Sequence, residues 1–343
     1  MAKTRFQLQA EGALKLTTAH IKRVATEYDA AVVLYEQSKD LYIGSLGTLA
    51  VVSDPADLED KIKQNLGSVY KNWAASLILK SETDFLVKEA SLLRAIVVLE
   101  EGRADYIDAI EDNLYTAYHN LGLHYQTLAD LAHAIEYLNK AKAIKADEMF
   151  TLYSLGLCHL ANNDYPEAEV EFRASIDLAI VANNSQLALN SFCKLIKSQI
   201  EQNNDTKATL EEAFAYLSGL DGAVQIVNVD SANMICSQLA QRQLIDGDDI
   251  TDTIALSRLI NAVGNANILV TQLTDAALYL NSIGQTEDCT KMLVELQEVA
   301  VDASQIKSYL SVLWLENPIN DDVRKAEILG ADDYTYTIVD FDF

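Results

Sequence analysis

Two stretches of this chain, 34 residues apart, repeat one order of large and small residues. The first reads Tyr118-x-x-Leu121-Gly122-x-x-Tyr125 and then Ala134-x-x-x-Leu138-x-x-Ala141. The second reads Leu152-x-x-Leu155-Gly156-x-x-His159 and then Ala168-x-x-x-Phe172-x-x-Ser175. Spacings of three and four residues put each set on one face of an α-helix. Glycine inside a helix costs up to about 1 kcal/mol against alanine. Its recurrence at 122 and 156 therefore marks a place where two helix backbones approach too closely for a side chain. Ala134 and Ala168 suit the same role on the facing helix, while Tyr118, Tyr125, Leu138 and Phe172 fill the space on either side. Asn162-Asn163-Asp164 suits a helix end and a cap, and Tyr165-Pro166 opens the next helix near its first turn.

In period and residue order these units resemble the tetratricopeptide repeat (TPR) family, whose motif is an aromatic, a Leu-Gly pair and a Tyr on the first helix, then Ala and an aromatic on the second. The resemblance covers 113–182 with clear motifs and 60–300 in degenerate form. The family's proline after the second helix is replaced by Ala146 and Ile180. A third unit at the same period has Leu189-Asn190 in place of Leu-Gly, Cys193 in place of Tyr and a second helix at Lys207 to Leu217. Upstream, Leu66-Gly67-x-x-Tyr70 resembles a first helix and Phe85, Leu92 and Ala95 a second, with a connection longer than the repeat allows. Asp275 to Ile283-Gly284, with Cys289 and Leu293, resembles another degenerate unit.

The resemblance implies an all-α chain, a right-handed superhelical solenoid of antiparallel helix pairs with a short extended C-terminal tail. Two strong repeats are too few to stand alone, so flanking helices are expected to cap and extend the stack. Residues 1–55, with Val24, Tyr28, Ala31 and Tyr35 at helical spacing, form an N-terminal cap. TPR-like repeats occupy 56–218. After a break at Gly219-Leu220-Asp221-Gly222, an acidic helical region runs over 219–330, broken again at Asp246-Gly247-Asp248-Asp249. An acidic aromatic tail closes the chain at 331–343. Only 3 prolines and 13 glycines punctuate 343 residues, which favours helices over many short strands with a turn signal every dozen residues.

The net charge is −25, and from Asp221 onward 20 acidic side chains face 6 basic ones, a net of −14. Such a surface repels phosphate backbones and anionic lipid, so no direct nucleic-acid or membrane partner is expected. The acid serves solubility or attracts a basic partner. Cys158, Cys193, Cys236 and Cys289 lie more than 30 residues apart with no metal spacing and suit buried apolar positions in a reducing compartment. The first residues lack the apolar run of a secretory signal, and no stretch reaches the ~20 apolar residues that span a bilayer. A cytoplasmic location is expected.

Catalysis has no visible candidate, and no metal or cofactor is expected. His20, His119, His124, His133 and His159 form no HExxH pattern. His119 and His124, five apart, share no helix face. His159 takes a Tyr position of the repeat. Gly44-Ser45-Leu46-Gly47 lacks the Lys and the preceding strand of a phosphate loop.

In TPR proteins the first helices line a concave surface that holds a peptide. Carried over by position, the groove residues are Thr116, His119, Leu123 and Gln126 in one unit and Phe150, Tyr153, Leu157 and Leu160 in the next. The third unit adds Asn184, Leu187, Ser191 and Lys194. The second set is apolar for a surface facing water, which suits apolar anchors of a partner segment or coverage by the chain's own helices. Asn120 fits the carboxylate clamp of one TPR subtype, but Thr116, His119, Phe150, Asn184 and Ala188 stand where its cations belong, so that clamp is expected to be absent. In the tail, Tyr334, Tyr336, Phe341 and Phe343 alternate with β-branched and acidic residues and form a candidate docking strand, a frayed end or a plug for the chain's own groove. The function implied is a non-catalytic scaffold or adaptor. A peptide-sensing receptor of the bacterial TPR type and an acidic mimic of nucleic acid are the alternatives.

Overall fold

The computed structural model describes residues 4–46, 55–83, 85–220, 229–246 and 286–299, with isolated positions between 252 and 310. These residues are helical, with short turns between helices. The chain divides into two compact units, Met1–Leu178 and Ala179–Phe343, and the division falls inside a helix, not at the Gly219–Gly222 break.

The first unit opens with α1 (Arg5–Val24) and α2 (Tyr28–Leu46). Thr4 caps α1 in a reciprocal box with Gln7, satisfying two end groups of the backbone. Gly12 lies against the Tyr42 ring and accepts from Ser38 Oγ at 2.8 Å, and Gly44 faces Leu8, so the two helices run antiparallel. Helix α3 (Pro55–Thr83) and a short 3-10 turn at Phe85–Val87 lead to α4 (Lys88–Thr127).

Helix α4 is folded back on itself. Tyr106 leaves helical geometry at φ −134°, ψ 23°, and beyond it the chain reverses. Tyr118 Oη donates to Glu100 at 2.7 Å and Tyr125 Oη to Glu89 at 2.7 Å. A straight helix would hold residues 36 apart about 54 Å from each other. The limbs 88–105 and 107–127 are therefore an antiparallel pair. Leu66 and Tyr70 on α3 and Leu92 and Ala95 on the first limb are all buried, as the upstream unit requires, and the reversal at Tyr106 leads directly into the first strong repeat.

That repeat pairs the second limb of α4 with α5 (Leu131–Ile144), and the next pairs α6 (Met149–Ala161) with α7 (Tyr165–Val181). A Cβ on Gly122 would lie 2.6 Å from Leu138 Cγ, and one on Gly156 2.6 Å from Phe172 Cε1. Ala134, Ala168, Leu138 and Phe172 are fully buried. The close approach read from the glycines is present in both units. The turns also repeat: Ala129 and Asn163, 34 apart, both take positive φ, 58° and 62°, ahead of Asp130 and Asp164. Asp130 caps α5 by accepting from the His133 amide.

The second unit holds α8 (Ser185–Glu201), α9 (Lys207–Ser218), α10 (Val229–Asp246) and α11 (Thr286–Val299). Phe192 packs at a tilt on Tyr216, ring centroids 6.1 Å apart, pairing α8 with α9. Ser231 on α10 bonds Asn190 Oδ1 at 3.0 Å, at the position where the strong repeats carry glycine. Cys289 and Leu293 are buried on α11. Most of the 275–284 segment and the entire tail, including Tyr334, Tyr336, Phe341 and Phe343, lie outside the described residues.

Candidate partner-binding face

Helix α6 is buried on most of its circumference. Thr151, Leu152, Ser154, Leu155, Gly156 and Cys158 are all inside. Its open side is the line Phe150, Tyr153, Leu157 and Leu160, whose spacing of three and four keeps them on one face. Phe150 is 49% exposed, and the other three are half-buried. Part of Tyr153 serves the repeat itself, its ring tilted on Phe172 with centroids 5.9 Å apart.

Beside α6, the second limb of α4 presents Thr116, His119, Leu123 and Gln126, all half-buried. Thr116 Oγ1 is bonded to the Asp112 carbonyl at 2.7 Å, so its methyl group is the freer part. The two helices are joined by a polar chain. Thr151 Oγ1 lies 2.9 Å from Tyr115 Oη and 2.9 Å from His119 Nδ1, and the Tyr115 and His119 rings stack with centroids 5.7 Å apart. Burial holds the His119 pKa below the usual imidazole value. Lys145 stands over the Tyr115 ring at 5.1 Å and pairs with Asp112 at 2.7 Å, a hydrogen bond that draws the Asp112 pKa down. The eight residues of the face carry no formal charge at neutral pH, and beside them Lys145 is paired with Asp112.

The third unit does not continue this open face. Asn184 caps α8, accepting from the Leu187 amide at 3.1 Å. Leu187 is 6% exposed and Ser191 fully buried; Lys194 is half-buried. Leu187 and Ser191 were expected to face a groove. They differ because α8 is covered on nearly all sides, with Leu187, Ala188, Leu189, Ser191, Phe192, Leu195, Ile196, Ser198 and Gln199 all buried. Both side chains are buried.

The remaining chemistry-bearing residues have structural surroundings. Burial pushes the Cys158, Cys193 and Cys289 thiols up to about 11 and Cys236 to about 12, so all four stay protonated. His133 bonds Asp130 at 2.8 Å, and His159 Nδ1 lies 3.6 Å from Asp164 Oδ2. Among the described residues, no cluster of His, Cys, Asp and Glu could hold a metal ion, and no helix is long and apolar enough to cross a membrane. Sequence reasoning missed the Thr151 link, because a threonine two residues from a helix start carries no signal of its own.

Glycine approach, buried alanine and left-handed turn all recur at the same 34-residue step. The helix pairs are TPR-like. No family model and no curated protein matches the chain. Among solved structures, it is similar to the apo form of RapI at 13% identity, over 77% of this chain and 85% of that one, TM-score 0.33. The apo form of the quorum sensor NprR from B. thuringiensis is 13% identical over 88% of this chain and 80% of that one, TM-score 0.41. Yeast Tom70 is 13% identical over 92% and 67%, TM-score 0.28. At these scores the likeness adds nothing to what the TPR-like repeats themselves establish.

Proposed function

We propose that the chain is a non-catalytic binding module that holds a segment of another protein on the face formed by α6 and the second limb of α4. One observation carries this reading: Phe150, 49% exposed, heads a line of apolar side chains on a helix that is otherwise buried on most of its circumference. The repeat does not need Phe150, Leu157 or Leu160 for its own close approach, which Gly156, Leu155, Ala168 and Phe172 supply. A partner side chain that covered this line would remove apolar surface from water at roughly 25 cal/mol per Å².

A photo-crosslinking phenylalanine analogue tests the reading directly. Placed at Phe150 in cells of the source organism, it is expected to trap one or a few proteins. Placed at Val170, which is 65% exposed on α7, it is expected to trap none of them. Equal trapping at both positions would contradict the proposal.

A further inference from the structure

The polar chain beside the apolar line has a direction. Thr151 Oγ1 sits between Tyr115 Oη and His119 Nδ1, 2.9 Å from each. A hydroxyl has one proton to give, so Thr151 accepts from one neighbour and donates to the other. A phenol is the better donor of the two and an unprotonated imidazole nitrogen the better acceptor. The favoured order is Tyr115 to Thr151 to His119. That order leaves Nδ1 as an acceptor and puts the ring proton on Nε2. Thr151 is fully buried while His119 is only part-buried, and Nε2 lies on the ring edge away from the Nδ1 that Thr151 holds. The stacked Tyr115 ring holds the imidazole plane.

We infer that His119 is the specificity-determining donor of this face: its Nε2–H selects an uncharged peptide segment that offers a backbone carbonyl beside an apolar side chain seated on the Phe150–Leu157 line. The inference rests on the proposed binding face and adds to it the class of segment. A neutral donor favours a carbonyl over a carboxylate, because a carboxylate brought onto this surface loses its water, and Lys145 beside the face already pairs with Asp112 at 2.7 Å. Burial of the ring, which disfavours its charged form, acts in the same sense.

Two measurements test it on the full chain. Nitrogen NMR of the imidazole rings at pH 7.5, with the His119 signals assigned by their loss in His119→Gln, is expected to show a neutral ring protonated on Nε2. In Thr151→Val that preference should weaken, since Nδ1 loses its donor. A charged ring, or one protonated on Nδ1, would overturn the inference. The second is an array of uncharged apolar peptides, each made with an amidated and with a free C-terminus. Peptides captured by the wild type are expected to bind His119→Phe roughly tenfold more weakly and His119→Gln, which keeps an N–H donor, within about threefold. Amidated forms should bind as well as their free acids or better. Full binding to His119→Phe, or a clear preference for free acids, together with loss in Leu157→Asp, would leave the face standing and remove the role given to His119. Capture of no peptide by the wild type would count against the face and the inference together.

Discussion

Tyr118 Oη donates to the Glu100 carboxylate at 2.7 Å, tying together the two limbs of α4 on either side of the break at Tyr106. Arg103 also donates to Glu100 Oε1 at 2.9 Å, so that oxygen accepts from two donors. Tyr118→Phe removes a part-buried, charge-assisted bond and is expected to lower stability by about 1–2 kcal/mol. Tyr125→Phe, whose bond to Glu89 is exposed, should cost less. Urea unfolding of the two variants gives the order.

Alanine in place of glycine distinguishes close approach from ordinary helix. Gly122→Ala and Gly156→Ala each bring a Cβ to 2.6 Å of a buried side chain and should cost about 1–3 kcal/mol through overpacking. Gly67→Ala meets nothing nearer than Ala109 Cβ at 3.4 Å. It should be neutral or stabilising by up to about 1 kcal/mol. Unfolding midpoints of the three variants check the contrast.

Ala129 takes φ 58° in the turn between α4 and α5, a conformation in which a Cβ crowds the following carbonyl and costs about 1–2 kcal/mol. Ala129→Gly relieves that crowding at some entropic cost. A net gain of about 0.5–1 kcal/mol is expected, read as a raised denaturation midpoint.

The buried His119 gives the fold a pH dependence of known sign. Its folded pKa lies below the ordinary 6.5, so between those two values the unfolded chain binds more protons than the folded one. The associated stability is complete above about 6.5, falls as the pH drops below that, and levels off once the folded value is passed. The groups against the ring include Tyr115 and Thr151, with the Asp112–Lys145 pair and Glu148 acting on Tyr115 and Lys145 beyond. His119→Gln should flatten this part of a plot of melting temperature against pH.

The strong repeats were legible because their geometry forces rare choices: glycine within a helix at 122 and 156, alanine opposite, and the Asn162-Asn163-Asp164 turn. The position of the reversal in α4 was not. Ala104 to Asp108 contains neither glycine nor proline, and Tyr106 absorbs the break with a backbone conformation any residue can adopt. The third unit misled for a related reason. With Asn190 where the glycine should be and a bond to Ser231 at that position, α8 keeps the period but not the surroundings, and Leu187 and Ser191 end up inside. The apolar line on α6 was carried over by position from the repeat resemblance, whereas its polar edge, Tyr115, Thr151 and His119, needs two helices side by side to be seen.

Binding measured against a single inserted charge tests the central claim most directly. A labelled peptide captured by the full chain should be titrated against the wild type, Leu157→Asp and Val170→Asp, with folding of each verified by circular dichroism. Loss of at least about thirtyfold in Leu157→Asp, the scale of a contact at the centre of an interface, with Val170→Asp unchanged, is the expected result. Wild-type affinity in a folded Leu157→Asp would show that the partner binds elsewhere.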